Sequence, residues 1–362
     1  MTRGHMTRGQ VPCHDAGNRS RRKRAGRRRR GGVMSKERRR YLESCEVSRL
    51  ARYELGGVEQ KVTVEGRRAD APVVIFLHGG PGSPLPVSVG TRGMFPDLAD
   101  RYVLAAWDQL GCGANRCRLG DDACIDRYVD MTLDLVRAVR RDFPSNEVNL
   151  LGVSWGSILA ARAAAREPEL VDHVVTYGQV LKQLGFNDEV FEALERSAMP
   201  EKLKVELRAI RGSGARNLES GMRLAGWVRK YTEGYQAQGG GMMPVGAFVR
   251  GLLESPDYTL RDLVAAVSND FSRSERLFAE IFAVDLSDEL ANMRVPYLIV
   301  QGETDIVTST RAIRAFVTEC GNPNLRYAEA PRSGHMPGTA GMSLLFEHLS
   351  NFVTKGQVSC HK

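Results

Sequence analysis

The chain has 362 residues, and its 51 basic and 43 acidic side chains leave a formal net charge of +8. Residues 1–33 carry +10 and the remaining residues carry −2, so the near-neutral body argues against a protein built as a whole to bind nucleic acid. The sequence contains no run of about 20 apolar residues, the length needed to span a membrane, and no apolar segment follows the basic start. The seven cysteines form no CxxC pair. We therefore expect a cytoplasmic protein with no membrane association, disulfide framework or zinc site.

The basic N-terminal segment has two interpretations. Residues 19–30 read RSRRKRAGRRRR, a run of like charges with few apolar neighbours, which predicts a disordered tail that we place at residues 1–41. In the first interpretation the tail binds polyanions weakly or acts in targeting. In the second, translation begins at Met34 and the preceding residues are not part of the native protein. Neither interpretation predicts a specific nucleic-acid partner.

Apolar runs predict the strands of a sheet. Residues 50–55 and 58–64 alternate apolar and polar side chains around Gly56-Gly57, which predicts a β-hairpin. Continuously apolar runs further along the chain are typical of strands that are buried on both faces. These runs cover residues 73–77, 102–108, 148–152, 172–178 and 296–302, and a further strand is expected at 324–330.

Helical periodicity separates most of these strands, at residues 125–142, 158–166, 311–317 and 344–352. Alternating strands and helices predict an α/β fold, with a mostly parallel sheet covered by helices on both faces. Residues 179–290 break this alternation, because they show helical periodicity and contain no buried strand. We therefore expect a core of residues 42–178 and 291–362, with residues 179–290 inserted as a helical cap.

The motif Gly152-Val153-Ser154-Trp155-Gly156 lies between a predicted strand and a predicted helix. In a nucleophile elbow, a serine occupies strained backbone at such a turn and is flanked by small residues that avoid clashes. The turn lifts the hydroxyl clear of the sheet and directs the helix N-terminus toward developing negative charge. The alternative is a glycine-rich packing turn, which would not require serine at its centre. The context favours Ser154 as a nucleophile.

A serine nucleophile needs a base to take its proton and an acid to orient that base. In elbow-containing folds the chain order is serine, acid, histidine. Asp305 follows the predicted strand 296–302, and His335 follows the strand 324–330, so both match the order. Glu303 is a rival acid, and Asp108 is a second rival that precedes the serine. We select Ser154, His335 and Asp305 as the predicted triad.

Acyl transfer also needs hydrogen-bond donors for the oxyanion of the tetrahedral intermediate. One predicted donor is the backbone N–H of Trp155, directly after the nucleophile. The second is expected in the loop His78-Gly79-Gly80-Pro81-Gly82, where consecutive glycines leave amides unobstructed. Gly80 is the preferred residue, with Gly79 as the alternative. If this loop were an ordinary turn, the occurrence of its glycines together with the Ser154 motif in one sequence would be unexplained.

Several motifs together resemble the proline iminopeptidase branch of the α/β-hydrolase superfamily. They are HGGPG at 78–82, WDQLGCG at 107–113, GVSWGSIL at 152–159, GETD at 302–305 and SGH at 333–335. The resemblance covers most of residues 50–178 and 291–355. It implies an α/β-hydrolase fold with an inserted helical cap, and an enzyme that releases an N-terminal residue, typically proline, from peptides or amides without metal or cofactor. It also implies acidic cap side chains that hold the free ammonium group of the substrate.

The chain departs from the family pattern at two places. Leu110 stands where the family has arginine in its Asp-Gln-Arg-Gly motif, and the cap has no close copy of the family's Trp–Glu segment. WVRKYTEG at 227–234 is a loose match that nominates Glu233 as a substrate-binding residue. A glutamate of this kind is also common on any exposed helix.

The resulting hypothesis is a serine hydrolase, an aminopeptidase of the proline iminopeptidase kind, acting on a small peptide or amide. The alternative is an esterase or lactonase with the same triad and a cap adapted to an uncharged substrate. Two hypotheses of other classes are a non-catalytic binding protein on the same scaffold and a polyanion-binding protein acting through the tail. Cys112, Cys117 and Cys124 lie close together, but no histidine or acid completes a metal-ligand spacing, so no metal is expected.

Overall fold

Eight strands form one sheet in a computed structural model that describes residues 34–237, 245–268 and 270–355. In chain order the strands are β1 Val47–Leu55, β2 Val58–Gly66, β3 Val73–Leu77, β4 Val103–Trp107, β5 Val148–Val153, β6 His173–Tyr177, β7 Tyr297–Gly302 and β8 Leu325–Ala330. Across the sheet their order is β1-β2-β4-β3-β5-β6-β7-β8. β2 is antiparallel to both β1 and β4, and the other neighbours are parallel. The predicted mostly parallel α/β sheet is confirmed.

Helices surround the sheet and fill the interval between β6 and β7. Those before β6 are α1 Lys36–Glu43, α2 Pro96–Ala99, α3 Ile125–Asp142 and α4 Trp155–Arg166. The described residues between β6 and β7 contain α5 Asp188–Arg196, α6 Glu201–Ser213, α7 Leu218–Tyr231, α8 Val245–Leu253, α9 Leu260–Val267, α10 Glu275–Ala283 and α11 Ser287–Ala291. The last helices are α12 Thr310–Cys320 and α13 Gly338–Lys355. Within the described ranges, no helix is both long and apolar enough to cross a lipid bilayer.

The sheet is buried on both faces. Along β3, Ile75 and Leu77 belong to an apolar cluster shared with α3 and α4, whereas Val74 and Phe76 belong to a cluster shared with α2 and α13. This arrangement explains the unbroken apolar runs in the central strands, since successive side chains of a strand point to opposite faces. The carboxyl ends of the parallel strands consequently meet at one edge, where loops from β3, β4, β5, β7 and β8 come together.

Helix α1 corrects the predicted extent of the basic tail. The Ser35 side chain accepts a hydrogen bond from the Arg38 N–H and caps this helix. The Arg38 guanidinium is buried and donates to the carbonyl oxygens of Arg92 (2.7 Å) and Gly251 (2.6 Å). The predicted tail boundary at residue 41 is therefore wrong for residues 36–41, because capping and long-range contacts outweigh their basic composition. Residues 1–33 lie outside the described residues, and both interpretations of them stay predictions.

Candidate active site

Ser154 lies at a sharp turn between β5 and α4. Its backbone has φ 51° and ψ −117°, a conformation that a residue with a side chain rarely adopts. The Ser154 N–H donates to the Tyr177 carbonyl oxygen of the adjacent strand at 2.9 Å, which helps to hold this backbone in place. The helix begins at Trp155, directly after the serine, rather than at residue 158 as the sequence pattern suggested. Ser154 thus has the strand–turn–helix setting predicted for a nucleophile elbow.

The two glycines of the motif are required by close backbone contacts. A Cβ atom on Gly156 would lie 2.0 Å from the Leu77 carbonyl oxygen and 2.9 Å from that of His78. A Cβ atom on Gly152 would lie 2.7 Å from the Gly156 carbonyl oxygen. Any larger residue at either position would push α4 away from β3 and β5, because the opposing atoms belong to the backbone and cannot rotate aside.

We expect the substitution Gly156→Ala to destabilise the fold by about 4 kcal/mol or more, because overpacking against rigid backbone is costly. The measurement is the free energy of unfolding in denaturant. Gly212→Ala is a matched control, since Gly212 lies in α6 and its Cβ would meet nothing within 4 Å. This control should gain about 1 kcal/mol from helix propensity. A Gly156→Ala protein as stable as the wild type would contradict the predicted elbow packing.

The structure brings the three predicted triad residues into one hydrogen-bonded chain. The Ser154 Oγ lies 2.9 Å from His335 Nε2, and His335 Nδ1 lies 2.9 Å from Asp305 Oδ2. His335 follows β8, and Asp305 follows β7, so residues far apart in sequence meet at the carboxyl edge of the sheet. Asp305 is 1% exposed and Ser154 is 7% exposed. The arrangement can transfer a proton from the serine hydroxyl to an oriented imidazole.

Asp305 is held by donors that keep its carboxylate in one orientation. Its Oδ1 accepts hydrogen bonds from the backbone N–H groups of Val307 (2.8 Å) and Thr308 (3.1 Å). Its Oδ2 accepts from the Thr308 hydroxyl at 2.6 Å and faces His335. Donors on both oxygens fix the plane of the Asp305 carboxyl group relative to the imidazole. The acid can therefore orient the imidazole and stabilise its protonated form.

The two rival acids make other contacts. Glu303 is exposed, and its Oε2 accepts the backbone N–H of Arg332 at 2.8 Å. Asp108 is buried, and its carboxylate accepts from the backbone N–H groups of Val89 (2.9 Å) and Ala114 (2.8 Å). Burial raises the pKa of Asp108 to about 6. Asp108 thus orders the loops after β3 and β4.

The glycine-rich loop after β3 approaches Ser154 closely. A Cβ atom on Gly79 would lie 3.4 Å from the Ser154 Cβ, and Gly80 has φ +117°, which favours glycine. Trp155 is the first residue of α4, so its N–H has no acceptor within the helix and remains available to an anion. The amides of Gly79 and Gly80 thus belong to the loop that approaches Ser154, and the amide of Trp155 begins the helix that follows it. Their role as oxyanion donors stays a prediction.

The predicted substrate-binding residue Glu233 follows α7, and its side chain is exposed. Its carbonyl oxygen accepts the Thr304 hydroxyl at 2.9 Å. The next two carbonyl groups, of Gly234 and Tyr235, accept the backbone N–H groups of His335 (3.0 Å) and the following residue (2.8 Å). The ring of Tyr235 lies 6.2 Å from that of His335. No sequence motif marks this contact of residues 233–235 with the histidine loop, so it was not predicted.

Leu110 and Cys112 are buried in the interior of the fold, whereas Cys117 and Cys124 are partly exposed. Leu110, which replaces the arginine of the resembling family, packs in the apolar cluster around α3 and α4. Cys112 is fully buried, and its Sγ lies 3.2 Å from the Gln109 carbonyl oxygen. In the part of the chain that the structure describes, no group of three or more His, Cys, Asp or Glu side chains is arranged to hold a metal ion.

Comparison with known families gives the class of protein. The alpha/beta hydrolase fold family matches residues 72–338, and the chain belongs to this family.

Individual relatives share low sequence identity with this chain or match only part of it. The Probable aminopeptidase YbaC of Bacillus subtilis (strain 168) is 20% identical over 322 residues, which cover 85% of this chain and 97% of that protein. The Proline iminopeptidase of Heyndrickxia coagulans is 36% identical over 103 residues, which cover 28% of this chain and 33% of that protein. The crystal structure of a proline iminopeptidase from Mycobacterium smegmatis aligns with a TM-score of 0.53 and 18% identity, covering 79% of this chain and 91% of that one. At this identity the structural likeness establishes the fold alone.

Proposed function

We propose that the protein is a serine hydrolase that releases an N-terminal residue, proline or a similar one, from peptides through an acyl-enzyme. The observation that carries the proposal is the chain of hydrogen bonds from Ser154 Oγ through His335 to Asp305, each 2.9 Å long. A nucleophile, a base and an orienting acid in this order define the machinery of serine-dependent acyl transfer on many folds.

The first half-reaction begins when His335 Nε2 accepts the proton of the Ser154 hydroxyl as its oxygen attacks the substrate carbonyl carbon. Asp305 keeps the other imidazole proton on Nδ1, so that Nε2 is free to act as the base. The resulting oxyanion accepts hydrogen bonds from Trp155 N–H and from Gly80 or Gly79 N–H. His335 then returns its proton to the leaving amine, the carbon–nitrogen bond breaks, and the acyl group stays on Ser154.

The second half-reaction repeats these steps with water. His335 takes a proton from the water molecule while its oxygen attacks the acyl carbonyl carbon. The second tetrahedral intermediate collapses as His335 returns the proton to Ser154 Oγ, which releases the acid product and regenerates the enzyme. No external oxidant, reductant or cofactor is needed for this sequence of proton and acyl transfers.

The aminopeptidase assignment is supported by similarity to the Bacillus subtilis protein over 85% of this chain and by the HGGPG and SWGS motifs. In this proposal, acidic cap side chains bind the substrate ammonium group, and Glu233 is the candidate because residues 233–235 adjoin the loop of His335. The odd number of cysteines favours a cytoplasmic setting for the reaction.

The test compares the 4-nitroanilide of L-proline with its N-acetylated counterpart. An ammonium group held by a carboxylate contributes about 1.5–3 kcal/mol, so the free amine should give a kcat/KM about 10–100 times higher. Equal rates on the two compounds would contradict aminopeptidase action and favour the esterase or lactonase alternative. Salt-dependent RNA binding that disappears when residues 1–33 are removed would instead support the polyanion-binding hypothesis.

A further inference from the structure

Gln109 lies at the start of the loop after β4 and contacts two other segments of the site. It is fully buried (0% exposed), and its backbone and side chain together form hydrogen bonds with His78 and Trp155. We propose that Gln109 is a positioning residue that aligns the oxyanion-binding amides of Gly79, Gly80 and Trp155. This inference rests on the serine hydrolase function proposed above, which supplies the oxyanion that these amides would bind.

The first link orients the amide of Gly79. Gln109 Nε2 donates to the His78 carbonyl oxygen at 3.2 Å. The peptide bond between His78 and Gly79 is trans, so its C=O and N–H point in opposite directions within one rigid plane. Anchoring the carbonyl oxygen on Gln109 therefore sets the direction of the Gly79 N–H. Gly79 is also the loop residue whose Cβ position lies against Ser154.

The second link orients the amide of Gly80 through the imidazole of His78. The Gln109 backbone N–H donates to His78 Nε2 at 3.0 Å, which places the ring proton on Nδ1. Nδ1 lies 2.9 Å from the Gly79 carbonyl oxygen and donates to it. Because burial lowers the pKa of His78 to about 4, the ring stays neutral near pH 7. The plane of the Gly79–Gly80 peptide, and with it the Gly80 N–H, is held by this chain.

The third link joins the same glutamine to the residue after the nucleophile. The Trp155 indole Nε1–H donates to Gln109 Oε1 at 2.7 Å, and this indole is fully buried. The hydrogen bond anchors the side chain of the first residue of α4, whose backbone N–H is the other predicted oxyanion donor. Gln109 thus connects all three candidate donors through one planar amide and one backbone N–H.

The chemistry of the position suits glutamine in particular. The carboxamide must accept from an indole N–H and donate to a carbonyl oxygen at once, which an ionised glutamate or a methionine cannot do. An oxyanion donor displaced by about 1 Å loses much of its effect, because the hydrogen bond must meet the charge where it develops. A purely structural glutamine would instead affect stability without affecting the rate of reaction at Ser154.

The test is the second-order rate of Ser154 labelling by a fluorophosphonate, whose phosphoryl oxygen occupies the oxyanion site. Gln109→Met should lower this rate about 10–100-fold, and should lower kcat by a similar factor with KM changed less than about threefold. Gln60→Met is the matched control, because Gln60 is also buried, accepts the Trp107 indole N–H at 2.9 Å and donates to the Leu55 carbonyl oxygen at 3.1 Å. The control should lose stability while keeping its labelling rate.

A labelling rate for Gln109→Met within about twofold of the control's would overturn the proposal. If Gln109→Met does not fold, Trp155→Phe removes only the indole link and keeps the backbone amide, with Trp107→Phe as its control. Slower labelling of Trp155→Phe than of Trp107→Phe supports the proposal, and equal labelling overturns it. A wild-type protein that is labelled but does not cleave prolyl amides would contradict the aminopeptidase function alone, since labelling does not depend on a substrate ammonium group.

Discussion

Replacing Ser154 with alanine should reduce kcat by about 10⁴–10⁶-fold, because the acyl-enzyme cannot form without the nucleophilic oxygen. The hydroxyl lies 2.9 Å from the base and leaves a small cavity when removed, so the variant should fold normally. Turnover of the proline 4-nitroanilide and covalent labelling by a fluorophosphonate are the two measurements. Both should be lost together, since both require the same oxygen atom.

Ser157→Ala is the matched control for this experiment. Ser157 lies in α4, three residues after Ser154, and its Oγ accepts the Val180 backbone N–H at 3.0 Å. Removing that acceptor leaves a buried N–H unpaired and should cost about 1–3 kcal/mol of stability while turnover per folded molecule is retained. Near-normal turnover by Ser154→Ala would contradict the proposed mechanism.

The substitution Asp305→Asn should reduce kcat by about 10⁴-fold through a change of imidazole tautomer. Two backbone N–H groups donate to Oδ1, so the oxygen of asparagine must stay at that position. The amide NH₂ then faces His335 Nδ1 and donates to it, which moves the ring proton to Nε2. With a proton on Nε2, the imidazole can no longer accept the proton of Ser154.

This prediction is checked by steady-state kinetics beside the variant Glu303→Gln. Glu303 was the rival acid in the sequence, and its carboxylate is exposed and bonded to the backbone N–H of Arg332. Turnover of Glu303→Gln should stay within about twofold of the wild type, because no triad atom contacts this side chain. A large loss of turnover in Glu303→Gln with little loss in Asp305→Asn would contradict the prediction and would indicate that Glu303 is the acid.

Local patterns were sufficient to predict most of the framework. Alternating residues around Gly56-Gly57 predicted the hairpin of β1 and β2, and unbroken apolar runs predicted β3 to β7, because burial on both faces leaves no polar position. Element ends were less accurate. Helix α4 begins at Trp155 and α13 at Gly338, several residues before the predicted starts, since their first residues, WGS and GTAG, do not show the apolar periodicity of the later turns.

The basic tail was extended too far for a similar reason. Residues 36–41 are rich in basic side chains like the segment before them, so their composition predicted a continuation of the tail. The Ser35 cap and the contacts of Arg38 with two carbonyl oxygens instead stabilise a helix there. A buried arginine of this kind is stable only when its donors are satisfied. The partners of Arg38 come from segments more than 50 residues away, so composition alone could not indicate them.

Motifs and chain order were sufficient to nominate three residues for a triad. Ser154 sits in a motif whose strand and helix are visible locally, and the order of serine, acid and histidine selected Asp305 and His335. Three-dimensional packing was needed to show that these three side chains form hydrogen bonds with one another and that Glu303 and Asp108 make other contacts. It also showed that Gln109 forms hydrogen bonds with His78 and Trp155. The contacts of the triad and of Gln109 join residues 30 to 181 positions apart, and only the packing of the sheet sets their distances.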